Sequence, residues 1–85
     1  MKSFTYEIKD PMGLHARPAG QLCKAAAAYT SAITIETARG KADARRIMAV
    51  MRLAAKQGET ITITCDGADE ETAASQLLAF LSENV

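Results

Sequence analysis

The amino-acid sequence predicts an α+β fold of the open-sandwich class, in which four strands form a sheet covered on one face by helices. Some short segments alternate apolar and polar residues, which indicates half-buried strands, and others repeat apolar residues at helical spacing. These segments follow each other as strand, helix, strand, strand, helix, strand, helix (βαββαβα). With 85 residues and no linker or repeat, we expect a single domain spanning 1–85.

The first strand and the first helix are separated by a clear break. Phe4, Tyr6 and Ile8 alternate with polar neighbours, and the Asp10–Gly13 segment ends the pattern. The alanine-rich segment from Ala16 to Tyr29 then has the spacing of an amphipathic helix, whose inward residues are Ala19, Leu22, Cys23, Ala26 and Ala27. Pro18 falls in its first turn, where the missing N–H has no helical partner to lose.

The middle of the chain predicts two short strands and a short helix. Ile33 and Ile35 alternate with Thr34 and Glu36, and Gly40 marks a turn towards a strand at 41–43. The segment from Arg46 to Ala55 is apolar on more than one narrow stripe. We therefore expect a helix there that partly buries Ile47, Val50, Leu53 and Ala54 and leaves a methionine edge exposed.

The last strand and helix carry the clearest patterns. The strand spans 60–65 and is β-branched at nearly every position. Asp69 is then a candidate N-cap, and Glu70 and Glu71 suit the first helical turn. The inward face of this final helix is predicted to be Ala73, Leu77, Phe80 and Leu81.

Composition argues against several classes of protein. Two cysteines, Cys23 and Cys65, are too few for a disulfide framework, and we expect both to be buried, reduced thiols. No signal peptide or membrane-spanning segment is recognisable, which favours a cytoplasmic protein without membrane insertion. A metal site is not expected either, because His15 and the two cysteines lack ligand spacing.

The charges are segregated although the formal net charge is zero. The segment 39–58 contains one acid, Asp43, and six cations: Arg39, Lys41, Arg45, Arg46, Arg52 and Lys56. From Glu59 onwards the chain carries acids but no lysine or arginine. Two interpretations remain open: a pair of solvated faces of opposite sign, or a basic surface that attracts an acidic partner.

His15 is the only histidine, and its place at the start of a helix suits phosphoryl chemistry. Unpaired backbone N–H groups and the positive end of the helix dipole attract anions there. Arg17 adds a charge that can bind phosphate oxygens through two hydrogen bonds. A neutral imidazole is also a competent nucleophile near pH 7. The alternative is that His15 merely caps the helix and Arg17 is a solvated neighbour.

Three motifs resemble those of the histidine-containing phosphocarrier (HPr) family of the bacterial sugar phosphotransferase system. The segment 13–19, GLHARPA, is similar to the family's active-site signature. The segment 47–53, IMAVMRL, resembles its second helix, and 58–70 resembles its last strand and the following turn. The likeness extends over the whole chain without gaps.

The resemblance implies an antiparallel four-stranded sheet with three helices on one face, and a phosphocarrier that is not itself an enzyme. His15 would accept a phosphoryl group on Nδ1 from enzyme I, which draws on phosphoenolpyruvate, and pass it to IIA domains of sugar permeases. Arg17 would be its charge partner. No cofactor is implied, and we expect a monomer. The implied docking surface consists of Ala16, Gly20, Gln21, Lys24, Ile47, Met48, Met51 and Arg52.

One position departs from the resemblance. In Gram-positive relatives a serine that is phosphorylated by a regulatory kinase precedes the Ile-Met pair, but Arg46 occupies that position here. Two glycines of that segment are also replaced, by Ala49 and Ala54. We therefore expect the family's phosphorylation of histidine in this protein, but not its regulatory phosphorylation of serine.

Other functions remain as alternatives. One is a regulatory or nitrogen-type HPr paralogue, whose output is control and not sugar uptake. Another is a small nucleic-acid-binding domain that uses the basic segment. Such sheets usually display aromatic residues for base stacking, whereas Ile33, Ile35, Ile61 and Ile63 are aliphatic, so we expect no nucleic-acid partner. A purely structural interaction module is disfavoured by His15 and Arg17 in one heptad.

Overall fold

The computed structural model describes residues 1–85 and has the element order βαββαβα that the sequence predicts. The strands are β1 (Lys2–Glu7), β2 (Ala32–Thr37), β3 (Gly40–Asp43) and β4 (Thr60–Asp66). The helices are α1 (Ala16–Ala27), α2 (Ile47–Arg52) and α3 (Glu70–Asn84). The strands form one antiparallel sheet in the order β1-β4-β2-β3. The predicted α+β open sandwich is therefore confirmed.

The core lies between one face of the sheet and the helices. Ile35 of β2 is paired with Ile63 of β4, and both side chains are fully buried. The alternate residues of these strands, such as Thr34 and Thr62, are only partly buried. Leu22 of α1 and Leu77 and Leu81 of α3 complete the core. Burial of each large aliphatic side chain contributes about 1.5–3 kcal/mol to folding, so this layer of contacts dominates the stability.

The predicted helix at 46–55 is too long at both ends. Arg46 is the N-cap of α2, Leu53 is its C-cap, and Ala54 has a left-handed backbone with φ +49°. Val50 and Leu53 are buried, whereas Ala54, which was expected to be partly buried, is exposed. The apolar pattern did not reveal this end because alanine is ordinarily a strong helix former.

The other differences lie at element ends. Helix α1 ends at Ala27, two residues before the predicted end, and Ala27 is exposed. Strand β1 ends at Glu7, although Ile8 beyond it is fully buried. Cys65 is buried as predicted, but Cys23 is only partly buried. Both cysteines are free thiols, and burial raises the pKa of each.

Asp69 connects distant segments and does not cap α3 with its side chain as predicted. It occupies the N-cap position, yet its carboxylate makes no capping hydrogen bond. It accepts hydrogen bonds from the backbone N–H of Thr30 at 2.8 Å, from the N–H of Ser31 at 2.9 Å and from the Ser31 hydroxyl. Asp69 therefore attaches the connection between α1 and β2 to the start of α3.

No helix is both long enough and apolar enough to cross a membrane.

The Asp69 contacts predict an acid-dependent stability. The hydrogen bonds, that from the Ser31 hydroxyl first, lower the pKa of Asp69 from 3.8 to about 2. A carboxylate with a lowered pKa stabilises the fold above its unfolded pKa, and this contribution is lost as the pH falls towards 2. Asp69→Asn should therefore lower the unfolding temperature at pH 7, and the difference from the parent should shrink on acidification.

Asp66→Asn is the matched control, because Asp66 is exposed and its carboxylate accepts no hydrogen bond. Thermal unfolding followed by circular dichroism between pH 7 and pH 2 makes the comparison. An Asp69→Asn effect that is independent of pH, or an equal effect of Asp66→Asn, would contradict this role of Asp69.

Candidate functional site

The loop that precedes α1 is held tightly against the segment that follows α2. Gly13 has φ +68°, and its N–H donates to the Asp10 carbonyl at 2.8 Å. A Cβ at this position would lie 2.4 Å from the carbonyl oxygen of Ala55, so only glycine fits. The next residue, Leu14, is buried and donates its N–H to the same carbonyl oxygen at 2.9 Å. These contacts fix the position of the loop and therefore the position of His15, which follows Leu14.

His15 lies at the N-cap of α1, and its imidazole does not cap the helix. Its backbone is extended, and its carbonyl oxygen accepts a hydrogen bond from Ala19 N–H at 2.9 Å. The backbone N–H groups of Ala16 and Arg17 donate to no group of the protein, and Pro18 has no N–H to donate. Free amides and the positive end of the helix dipole are favourable for an anion, so the start of α1 is a candidate anion site. A capping role for the His15 side chain is excluded.

One edge of the His15 imidazole faces a carboxylate. The Nε2 atom lies 3.8 Å from Asp10 Oδ2, and the His15 side chain is 34% exposed. Asp10 is itself fixed, because its Oδ1 accepts the Met12 N–H at 2.8 Å and its own N–H donates to Val85 at 2.6 Å. A carboxylate therefore faces Nε2, which leaves Nδ1 as the candidate nitrogen for an anionic group to approach.

A depression of about 270 Å³ adjoins the imidazole and is large enough for a phosphoryl group. Its lining residues are Asp10, His15, Arg17, Pro18, Gln21, Glu83 and Asn84. The Arg17 guanidinium makes no hydrogen bond or ion pair within the protein and is available for an anion. Asp10, Glu83 and Asn84 were not among the predicted site residues. Glu83 and Asn84 reach the site because α3 ends beside it, which no local motif signals.

The residues of the predicted docking surface lie on two adjoining helices. An added Cβ on Gly20 of α1 would be 3.3 Å from the Cδ1 atom of Ile47 in α2, so these helices are in close contact. Ile47 and Met51 are each 38% exposed and Met48 is 63% exposed, an unusual degree for large apolar side chains. Around them Ala16, Gln21, Lys24 and Arg52 are exposed, and Gly20 is partly buried.

The structure divides the basic segment into bonded and free cations. Arg45 is partly buried and donates to the carbonyl oxygens of Tyr29 at 2.5 Å and Ser31 at 2.7 Å. Arg39 forms an ion pair with Glu59. The side chains of Arg46 and Arg52 are exposed and have no partner in the protein. Of the six cations in this segment, Arg39 and Arg45 are therefore bonded within the protein, where their charged groups stabilise the fold.

Comparison with known proteins covers nearly the whole chain. A family profile described as "PTS HPr component phosphorylation site" matches residues 2–83. The phosphocarrier protein HPr of Lysinibacillus sphaericus is 41% identical over 83 residues, which are 98% of this chain and 94% of that protein. The HPr-like protein Crh of Halalkalibacterium halodurans is 42% identical over 77 residues, 91% of this chain and 92% of that one.

Comparison with solved structures finds relatives of the same kind as the comparison of sequences. The solved structure of a histidine-containing phosphocarrier protein from Mycoplasma superimposes with a TM-score of 0.93 at 38% identity and covers 96% of this chain and 93% of its own. Dimers also occur among the solved relatives. Since profile, sequence and fold agree over this length, the chain belongs to the HPr family of phosphocarrier proteins of the phosphotransferase system and is not a catalytic enzyme.

Proposed function

We propose that the protein accepts a phosphoryl group on Nδ1 of His15 from enzyme I and passes it to IIA domains of sugar permeases. The observation that carries the proposal is the open start of α1, where the free amides of Ala16 and Arg17 lie beside the imidazole. The uncommitted guanidinium of Arg17 adds positive charge at the same place. Such an arrangement stabilises the charge that accumulates on phosphoryl oxygens.

The transfer step uses the two ring nitrogens differently. The lone pair of Nδ1 attacks phosphorus, a P–N bond forms, and the bond from phosphorus to the donor breaks, so that its electron pair leaves with the donor. The ring carries its proton on the other nitrogen, Nε2, which faces the Asp10 carboxylate at 3.8 Å. Reversal of this step delivers the group to an acceptor. The protein thus needs only to hold the imidazole and neutralise the phosphoryl oxygens.

The exposed surface of α1 and α2 is proposed as the docking surface for both partners. Ile47, Met48 and Met51 form its apolar centre, and Ala16, Gly20, Gln21, Lys24 and Arg52 surround them. An apolar centre with a polar rim is the usual anatomy of a protein interface. The free cations at the rim suit an acidic partner and should accelerate encounter more than they strengthen the complex.

Arg46 is proposed to keep this surface permanently basic. It occupies the N-cap of α2, where the resemblance places the regulatory serine of Gram-positive relatives, and it is exposed. A phosphoserine there would add nearly two negative charges beside the docking surface and repel an acidic partner. With arginine at this position, we propose that the protein has no serine switch and acts as a cytoplasmic monomer that is always competent for transfer.

The first prediction concerns the phosphorylated atom. Incubation with enzyme I and phosphoenolpyruvate should add one phosphate, detected by intact mass, which is lost in acid and stable in base because it is a phosphoramidate. His15→Ala should remove the modification completely, since no other histidine exists. A phosphate that remains on the His15→Ala protein would contradict the assignment.

Arg17 should serve transfer and not folding. Arg17→Ala should change stability by less than about 1 kcal/mol, because the side chain is exposed and unpaired. Transfer should slow roughly 10- to 100-fold, since a hydrogen bond to a charged group contributes about 1.5–3 kcal/mol. The control is Lys41→Ala, which removes an exposed cation from β3. Rapid-quench transfer at the parental rate, or a large loss of stability, would refute this role.

The charge at position 46 should control association. Arg46→Glu should reduce the association rate with enzyme I, and the parental rate should fall as salt shortens the Debye length from about 10 Å at 0.1 M to about 3 Å at 1 M. Lys41→Glu makes the same charge change on the face of the sheet opposite the helices, where Lys41 lies beside Thr34 and Thr64, and should have little effect. An HPr serine kinase with ATP should leave the parent unmodified. Equal rates for Arg46→Glu and the parent, or phosphoserine on the parent, would overturn the proposal.

A further inference from the structure

The loop that precedes α1, residues 12–15, is called the His15 loop. The segment after α2 that holds this loop has an unfavourable backbone conformation. After α2 the chain passes through Ala54, whose left-handed φ of +49° is uncommon for any residue except glycine. The next residue, Ala55, supplies the carbonyl oxygen that accepts the Leu14 N–H. Something outside this segment must therefore stabilise the conformation that presents the Ala55 carbonyl to the loop.

Arg39 supplies that stabilisation from the turn between β2 and β3. Its Nε donates to the Leu53 carbonyl oxygen at 2.5 Å, and its Nη2 donates to the Ala54 carbonyl oxygen at 3.1 Å. The same guanidinium forms a two-pronged ion pair with Glu59, with Nη1–Oε2 at 2.8 Å and Nη2–Oε1 at 2.6 Å. One planar group thus binds two successive carbonyls and a carboxylate.

Glu59 closes the arrangement from the other side. Its Oε1 accepts the Lys56 N–H at 2.6 Å, and its backbone carbonyl accepts the Ile8 N–H at 2.9 Å. The pair therefore fixes backbone groups on both sides of Ala55 and leaves the Ala55 carbonyl for Leu14. The contact with Arg39 lowers the pKa of Glu59 to about 2. The pair is therefore ionised at neutral pH and holds this segment in place there.

We infer that Arg39 and Glu59 are positioning residues that hold the His15 loop in its transfer-competent place through the carbonyl of Ala55. They touch neither the imidazole nor the depression beside it. The part of the inference that concerns phosphoryl transfer rests on the proposed function. The part that concerns the loop is a property of the free protein.

Amide hydrogen exchange in the free protein, followed by NMR, tests whether the pair holds the loop in place. In Arg39→Gln, the Leu14 amide should exchange at least about tenfold faster relative to the core amide of Ile63. Asp69→Asn is the matched control, because it removes another multiply bonded charged group that does not contact this segment. There the exchange of Leu14 should change only in step with that of Ile63. Glu59→Gln serves as a milder variant if Arg39→Gln does not fold.

Transfer from enzyme I is then measured on the same variants. With the variant as the substrate of enzyme I, Arg39→Gln should lower the kcat of phosphoryl transfer about tenfold with little change in KM. Asp69→Asn should leave both constants unchanged. Arg39→Lys should restore little, because an ammonium cannot bind both carbonyls and the carboxylate in one plane. Normal Leu14 protection in Arg39→Gln, or a loosened loop with normal transfer, would overturn the inference. If the parent accepts no phosphate, the proposed function fails, while the Leu14 exchange still decides whether the pair holds the loop.

Discussion

The geometry of the site depends on the contact between the loop at 12–15 and the carbonyl of Ala55. Leu14 donates a hydrogen bond to that oxygen, and Gly13 approaches it so closely that no side chain fits between them. This contact joins two segments that are about 40 residues apart in the sequence and fixes the point at which α1 begins. Because helical amides are free only in the first turn, the start of α1 decides where an anion can be bound. The position of the His15 imidazole and that of the candidate anion site therefore depend on the same contact.

The arginines show how a small protein divides its cations between folding and function. Arg39 and Arg45 donate to backbone carbonyls at connections that lack a regular hydrogen-bond ladder, and both hold turns in place. Arg17, Arg46 and Arg52 have no protein partner and remain available to external anions. These three arginines lie on or beside α1 and α2, where the proposed docking surface would use them.

Sequence patterns were sufficient for the fold because the core is built from simple periodicities. The alternation of β4 identifies its buried face, and the helical spacing in α1 does so except at Cys23 and Ala27. The segment 13–19 indicated His15 and Arg17 as candidate site residues. Contacts between distant residues could not be obtained in this way. Asp69 had the local signature of a helix cap but bonds to Thr30 and Ser31 instead, because its carboxylate reaches the connection between α1 and β2. Asp10 and Asn84 meet at the site only after α3 has packed on the sheet.

The proposed function requires that phosphate on Nδ1 of His15 be stabilised by the free amides that begin α1. This stabilisation can be observed by NMR of the uniformly 15N-labelled protein before and after phosphorylation by enzyme I and phosphoenolpyruvate. We expect coupling of phosphorus to Nδ1. We also expect strong downfield shifts of the Ala16 and Arg17 amide protons, with the Ile63 amide unchanged. Phosphorus bound to Nε2, or Ala16 and Arg17 amides that do not respond, would contradict it.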